Sequence, residues 1–153
     1  MTNHHELVMP PRYSQRILRA SALALVSIAS AIYNKLPTSA LLATAVFITS
    51  VNYWRHPIFG LRRNVDMGCV CVALGYQIMF MAYEATAAAR HAYWAATAFG
   101  CCCYLASVYA GRVLHDYNAD SILHISLHVC ANLGNIMLYD SFGANVLGLG
   151  LRH

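Results

Sequence analysis

The sequence predicts an all-α fold, a polytopic membrane helix bundle of about five transmembrane helices. Three observations carry that prediction. Of the 153 residues, 59% are hydrophobic and only 10% are charged, whereas soluble domains carry roughly 25% charged residues. The apolar residues fall into five runs, each close to the ~20 residues a helix needs to cross the hydrocarbon core. In the last run Asp120, His124, His128 and Asn132 recur every fourth residue. At 3.6 residues per turn that spacing stacks all four on one helical face.

In chain order, the sequence divides into a polar tail (1–16), a helical bundle (17–139) and a short Gly-rich tail (140–153). The first tail holds Arg12 and Arg16, and its His4 and His5 read as solvated. No cleavable signal peptide is expected, because the apolar run starts late and no small-residue cleavage site follows it. The predicted spans are 17–33, 39–54, 65–83, 92–114 and 120–139. Breaks between them are marked by Asn34-Lys35-Leu36-Pro37, Arg55-His56-Pro57, a polar turn over 84–91 and His115-Asp116-Tyr117-Asn118.

Five spans place the N-terminal tail, the 2–3 loop and the 4–5 loop on one side. That side carries Arg12, Arg16, Arg19, Arg55, Arg62, Arg63 and Arg112, against Lys35, Arg90 and Arg152 opposite. The positive-inside rule then puts the N-terminus on the cytosolic or matrix side. The expected location is integral to an endomembrane or to the mitochondrial inner membrane, with membrane lipids as partners. The net charge of +4 comes without a basic run, so nucleic acid is not an expected partner. The six cysteines all fall inside predicted spans; without metal-site spacing they read as small helix-packing residues.

Polar residues inside a membrane helix normally face the bundle interior, a partner or a water-filled cavity. The predicted topology gathers three such pieces at one membrane face: Ser50, Asn52 and His56 at the end of span 2, Asp66 at the start of span 3, and His124/His128 in span 5. Histidines at i and i+4 can chelate one metal, and a third from another helix leaves a position for water. A nearby aspartate can orient a histidine or accept the water's proton.

In order and type, Ser50, His56, Asp66, His124 and His128 resemble the motifs of the superfamily that contains alkaline ceramidases and progestin/adipoQ receptors. That resemblance implies zinc held by His56, His124 and His128, with Asp66 assisting the bound water and Ser50 or Asn52 helping to hold an oxyanion. The implied activity is hydrolysis of a lipid amide or ester. The family has seven spans, and its serine lies one turn before the first histidine, a slot that Asn52 fills here. A second, weaker resemblance covers HPIFGLRRNVD, which is similar to a segment of the large cytochrome b anchor of succinate dehydrogenase. It implies haem b on His56 and a quinone site bordered by Arg62, in a subunit of a larger respiratory-type membrane complex.

Purely structural roles compete for the same residues. Membrane histidines hydrogen-bond across helices for about 0.6–2 kcal/mol, Asp66 and Asp120 can cap helices, and Arg62 and Arg63 can anchor to lipid headgroups. Tyr33, Tyr53, Trp54, Tyr83, Tyr93, Trp94 and Tyr139 at span ends read as interfacial belts. Ser107, Gly100 and Gly111 read as close-packing positions.

Overall fold

Each apolar run forms a helix, in a computed structural model that describes residues 7–146. The elements are α1 (Pro11–Ser21), α2 (Ala24–Tyr33), α3 (Pro37–Trp54), α4 (Leu61–Tyr76) with a π-helical extension (Gln77–Met81), α5 (Ala87–Arg112) and α6 (Tyr117–Val146). Pro11–Tyr33 acts as a single helix, because Ala22 and Leu23 keep helical dihedrals through a tightened turn of i→i−3 hydrogen bonds. The fold is therefore all-α with five helices. Three of them, Pro11–Tyr33, Leu61–Met81 and Tyr117–Gly143, are long and apolar enough to cross a membrane.

The helix ends depart from the predicted spans for local reasons. Helix α1 starts at Pro11, inside the stretch read as a tail, because a proline at the first helical position has no N–H to leave unsatisfied. It is amphipathic: Ser14, Ile17 and Ser21 are buried while Arg12, Gln15, Arg16 and Arg19 are exposed. Thr86 caps α5, accepting from the Ala89 N–H, so residues 87–91 are helical rather than a turn. Helix α6 is capped by Asp116, whose Oδ1 accepts from the N–H groups of Asn118 and Ala119, not by Asp120. Gly60 precedes α4 at φ 141° and ψ −154°, a conformation essentially restricted to glycine. His4, His5 and Arg152 lie outside the described residues.

Helix α6 packs most extensively on α5 and also touches α1 and α2; α2 and α1 touch α3, and α3 touches α4. The order around the bundle is thus α5, α6, α1/α2, α3, α4. Among the described residues no comparable packing joins α4 to α5, which leaves a seam between them away from the end where Gln77 meets Tyr93. The ring is closed at one end by Ala31, Met81, Ala82, Ala85, Tyr93, Leu138 and Tyr139. Near the other end Met9, Ile17, Tyr53 and Trp54 form a second cluster. Here the N-terminal segment meets the α3–α4 and α5–α6 loops, which are the 2–3 and 4–5 loops of the span count. The Val8 N–H donates to the Pro57 carbonyl at 2.8 Å, and Arg16 donates to Asn118 Oδ1 at 2.8 Å.

Serines 14, 21, 27, 39, 50, 107, 121 and 141 are buried, the small-residue packing typical of membrane bundles. Outward surfaces carry Ile32, Leu41, Ile48, Val72, Met79, Phe80, Phe99 and Leu105. Only 33%, 22% and 17% of the three apolar windows is buried within the protein. Of the residues read as belts, Tyr33, Tyr83 and Trp94 are exposed, whereas Tyr53, Trp54, Tyr93 and Tyr139 are core. Among the cysteines, Cys103 is buried, whereas Cys71, Cys101 and Cys102 are exposed, Cys71 and Cys101 along the cavity inside the ring.

Candidate functional site

The packing leaves a cavity of about 580 Å³ inside the ring, lined by all five helices. Its walls are apolar, with Val46, Phe47, Val70, Leu74 and Leu127 among the lining residues. Its polar groups cluster in five places.

The first joins α3 to α4. Ser50 lies one turn before the end of α3 and Asp66 in the second turn of α4, so a short connection brings them face to face. Ser50 Oγ donates to Asp66 Oδ1 at 2.7 Å, and Thr49 Oγ1 donates to the same oxygen at 3.0 Å. Asp66 is buried within α4 and is a bridge between helices, not a cap.

The second joins α5 to α6. Ser107 Oγ donates to Asp120 Oδ1 at 2.5 Å, again with both residues buried. Gly111, one turn after Ser107, makes room: a Cβ there would overlap the Asp120 carboxylate. Serine and glycine four apart give α5 the small face that this approach needs.

The third is the histidine pair. His124 and His128 stack along α6 with ring centroids 5.4 Å apart. His124 meets Trp54 edge-on at 4.8 Å and Tyr104 at 6.1 Å. His128 Nε2 is buried and has no hydrogen-bond partner among the described residues. Native proteins rarely leave such an atom unpaired, and both rings line the cavity.

Deeper in, Ser27 Oγ donates to Asn132 Oδ1 at 2.6 Å, and Asn132 Nδ2 donates to the His128 carbonyl at 2.7 Å. At the closed end Gln77 Nε2 donates to the Tyr139 hydroxyl at 3.0 Å, and the Tyr93 hydroxyl donates to Gln77 Oε1 at 3.1 Å. Gln77 opens the π-helical turn, in which the Ala82 N–H reaches back five residues to the Gln77 carbonyl. Such turns are frequent at functional sites.

The structure thus brings Ser50 to Asp66 and His124 to His128, all around one cavity. The other predicted site residues lie apart from these contacts. His56 is exposed in the turn after α3. Asn52 accepts a 3.4 Å hydrogen bond from Arg55, and Arg62 is exposed on the first turn of α4. Among the described residues no group of three or more His, Cys, Asp or Glu side chains is placed to hold a metal. His56, His124 and His128 do not make the three-ligand cluster that zinc requires. Sequence reasoning treated Ser107 and Gly111 only as packing positions and passed over Thr49, Ser27 and Phe59. The serine–glycine spacing on α5 was the one available signal.

Comparison with known protein families, curated proteins and solved structures finds no match to this chain.

Proposed function

We propose that this chain is an integral membrane protein in which all five helices span the bilayer, and whose cavity holds one amphipathic lipid-like molecule. The carrying observation is the cavity itself: apolar walls with a few convergent polar groups, at about 580 Å³, within the 300–1,000 Å³ range of small-molecule sites. The seam between α4 and α5 supports sideways access from the bilayer, since no packed helix pair seals it. The arginine-rich end faces the cytosol or matrix in this reading. Asp66, Asp120, His124 and His128 supply hydrogen-bonding and proton-exchanging groups to the bound molecule.

The test is native mass spectrometry of protein released from nanodiscs. One retained lipid-like molecule per chain is the expected result, lost in Leu74→Trp, which narrows the cavity at its apolar wall. Detection of both proteins at their bare sequence masses, with nothing retained, removes the reading.

Zinc-dependent hydrolysis of a lipid amide or ester, the activity the first resemblance implies, is the second reading. Its support is the Ser50–Asp66 contact and the His124/His128 pair with its free Nε2. The second resemblance has a haem or quinone anchor, or a structural subunit of a respiratory-type complex, as its counterpart. Elemental analysis and an absorption spectrum on one purified sample separate these. About one zinc per chain supports the hydrolase, and a Soret band supports the haem subunit.

A further inference from the structure

We infer that the mouth of the cavity is an anion site, built by Arg63 and Arg112, for the phosphate or carboxylate headgroup of the molecule whose chain lies inside. This inference rests on the cavity being an amphiphile site, and adds the class of headgroup.

The two arginines come from different helices. Arg63 is on the first turn of α4 and Arg112 is the last residue of α5, on either side of the unpacked seam. Both are held against one aromatic ring of the α3–α4 loop, Phe59. Their guanidinium carbons lie 5.5 Å and 5.8 Å from the Phe59 centroid. The two charges are therefore at most about 11 Å apart, and both line the cavity. Neither guanidinium has a hydrogen-bond or ion-pair partner among the described residues. The carboxylates of the cavity, Asp66 and Asp120, accept from Thr49, Ser50 and Ser107 and not from either guanidinium. Two guanidinium charges without a direct ion-pair partner, at the rim of a low-dielectric chamber, repel one another and attract an anion. Arginine forks match carboxylate and phosphate oxygens.

The cavity's shape argues for a lipid rather than a free anion. From Arg63 the α4 wall runs inward past Val70 to Leu74, eleven residues or roughly 16 Å of helix. A charged head at the seam therefore leaves an acyl chain lying along apolar wall.

The experiment uses the full chain in neutral phosphatidylcholine nanodiscs. It is titrated with lysophosphatidate and with a monoacylglycerol of the same chain length, with inorganic phosphate as competitor. The expected result is at least tenfold tighter binding of lysophosphatidate, a ratio falling toward one in Arg63→Gln/Arg112→Gln, and no displacement by phosphate. Equal affinity for the two amphiphiles overturns the anion site and leaves the cavity reading intact. Binding of neither overturns both. Displacement by phosphate alone reassigns the mouth to a free anion. Lysophosphatidate binding that survives Leu74→Trp reduces it to an outer headgroup contact. Each of these last two results also overturns the inference.

Discussion

Gln77 offers the sharpest test of the packing. Its side-chain amide ties α4 to both α5 and α6 through Tyr93 and Tyr139, with bonds of 3.1 and 3.0 Å. All three residues are buried, the two tyrosines 1% exposed. Gln77→Leu keeps the volume but removes both hydrogen bonds and strands two hydroxyls. Interhelix hydrogen bonds in membrane proteins average about 0.6 kcal/mol and reach about 1.7, so the pair accounts for roughly 1–3 kcal/mol. Removing all the polar partners together is close to neutral, because no buried group is then left unpaired. Gln77→Leu/Tyr93→Phe/Tyr139→Phe should therefore be more stable than Gln77→Leu alone. The assay is reversible unfolding in mixed micelles with rising SDS mole fraction, followed by circular dichroism. A double-mutant cycle between Gln77 and Tyr139 should give a coupling of at least about 0.5 kcal/mol. A coupling below about 0.3 kcal/mol, or a triple variant no more stable than Gln77→Leu, would refute the bridge and the closed end of the cavity with it.

Other substitutions test the remaining contacts in the same assay. Gly111→Ala drives a Cβ into the Asp120 carboxylate and should cost about 1–3 kcal/mol as overpacking. Gly75→Ala on α4 meets nothing within 4 Å and should be neutral or stabilising by up to about 1 kcal/mol. Gly60→Ala places a side chain at φ 141° and should destabilise by about 1–3 kcal/mol, with far-UV circular dichroism unchanged below the transition. Ser27→Ala removes the 2.6 Å bond to Asn132 and should cost about 0.6–2 kcal/mol; an unchanged midpoint would count against the α2–α6 contact. Mass-resolved maleimide labelling in mild detergent should modify Cys71, Cys101 and Cys102 before Cys103, in keeping with their exposure.

The sequence by itself determined the fold class, the number of helices and which loops share an end of the bundle. These depend on properties local in the chain: apolar run length, the Pro and Asn/Lys breaks, and the alternation of direction that short loops impose. The fourfold spacing from Asp120 to Asn132 likewise placed a polar stripe on one face of α6. Only the tertiary structure decided what each polar group meets. Asp66 looked like a cap because it follows two arginines near a helix start, yet the α3–α4 crossing turns it onto Thr49 and Ser50. Tyr93 and Tyr139 sat at predicted span ends, but α5 starts earlier and α6 runs further, so both fall in the core around Gln77. His56 could be matched by type and order to a metal ligand, while the turn after α3 leaves it exposed. Arg63 and Arg112 are 49 positions apart in the chain. Their meeting at Phe59 exists because α4 and α5 flank the seam left between them.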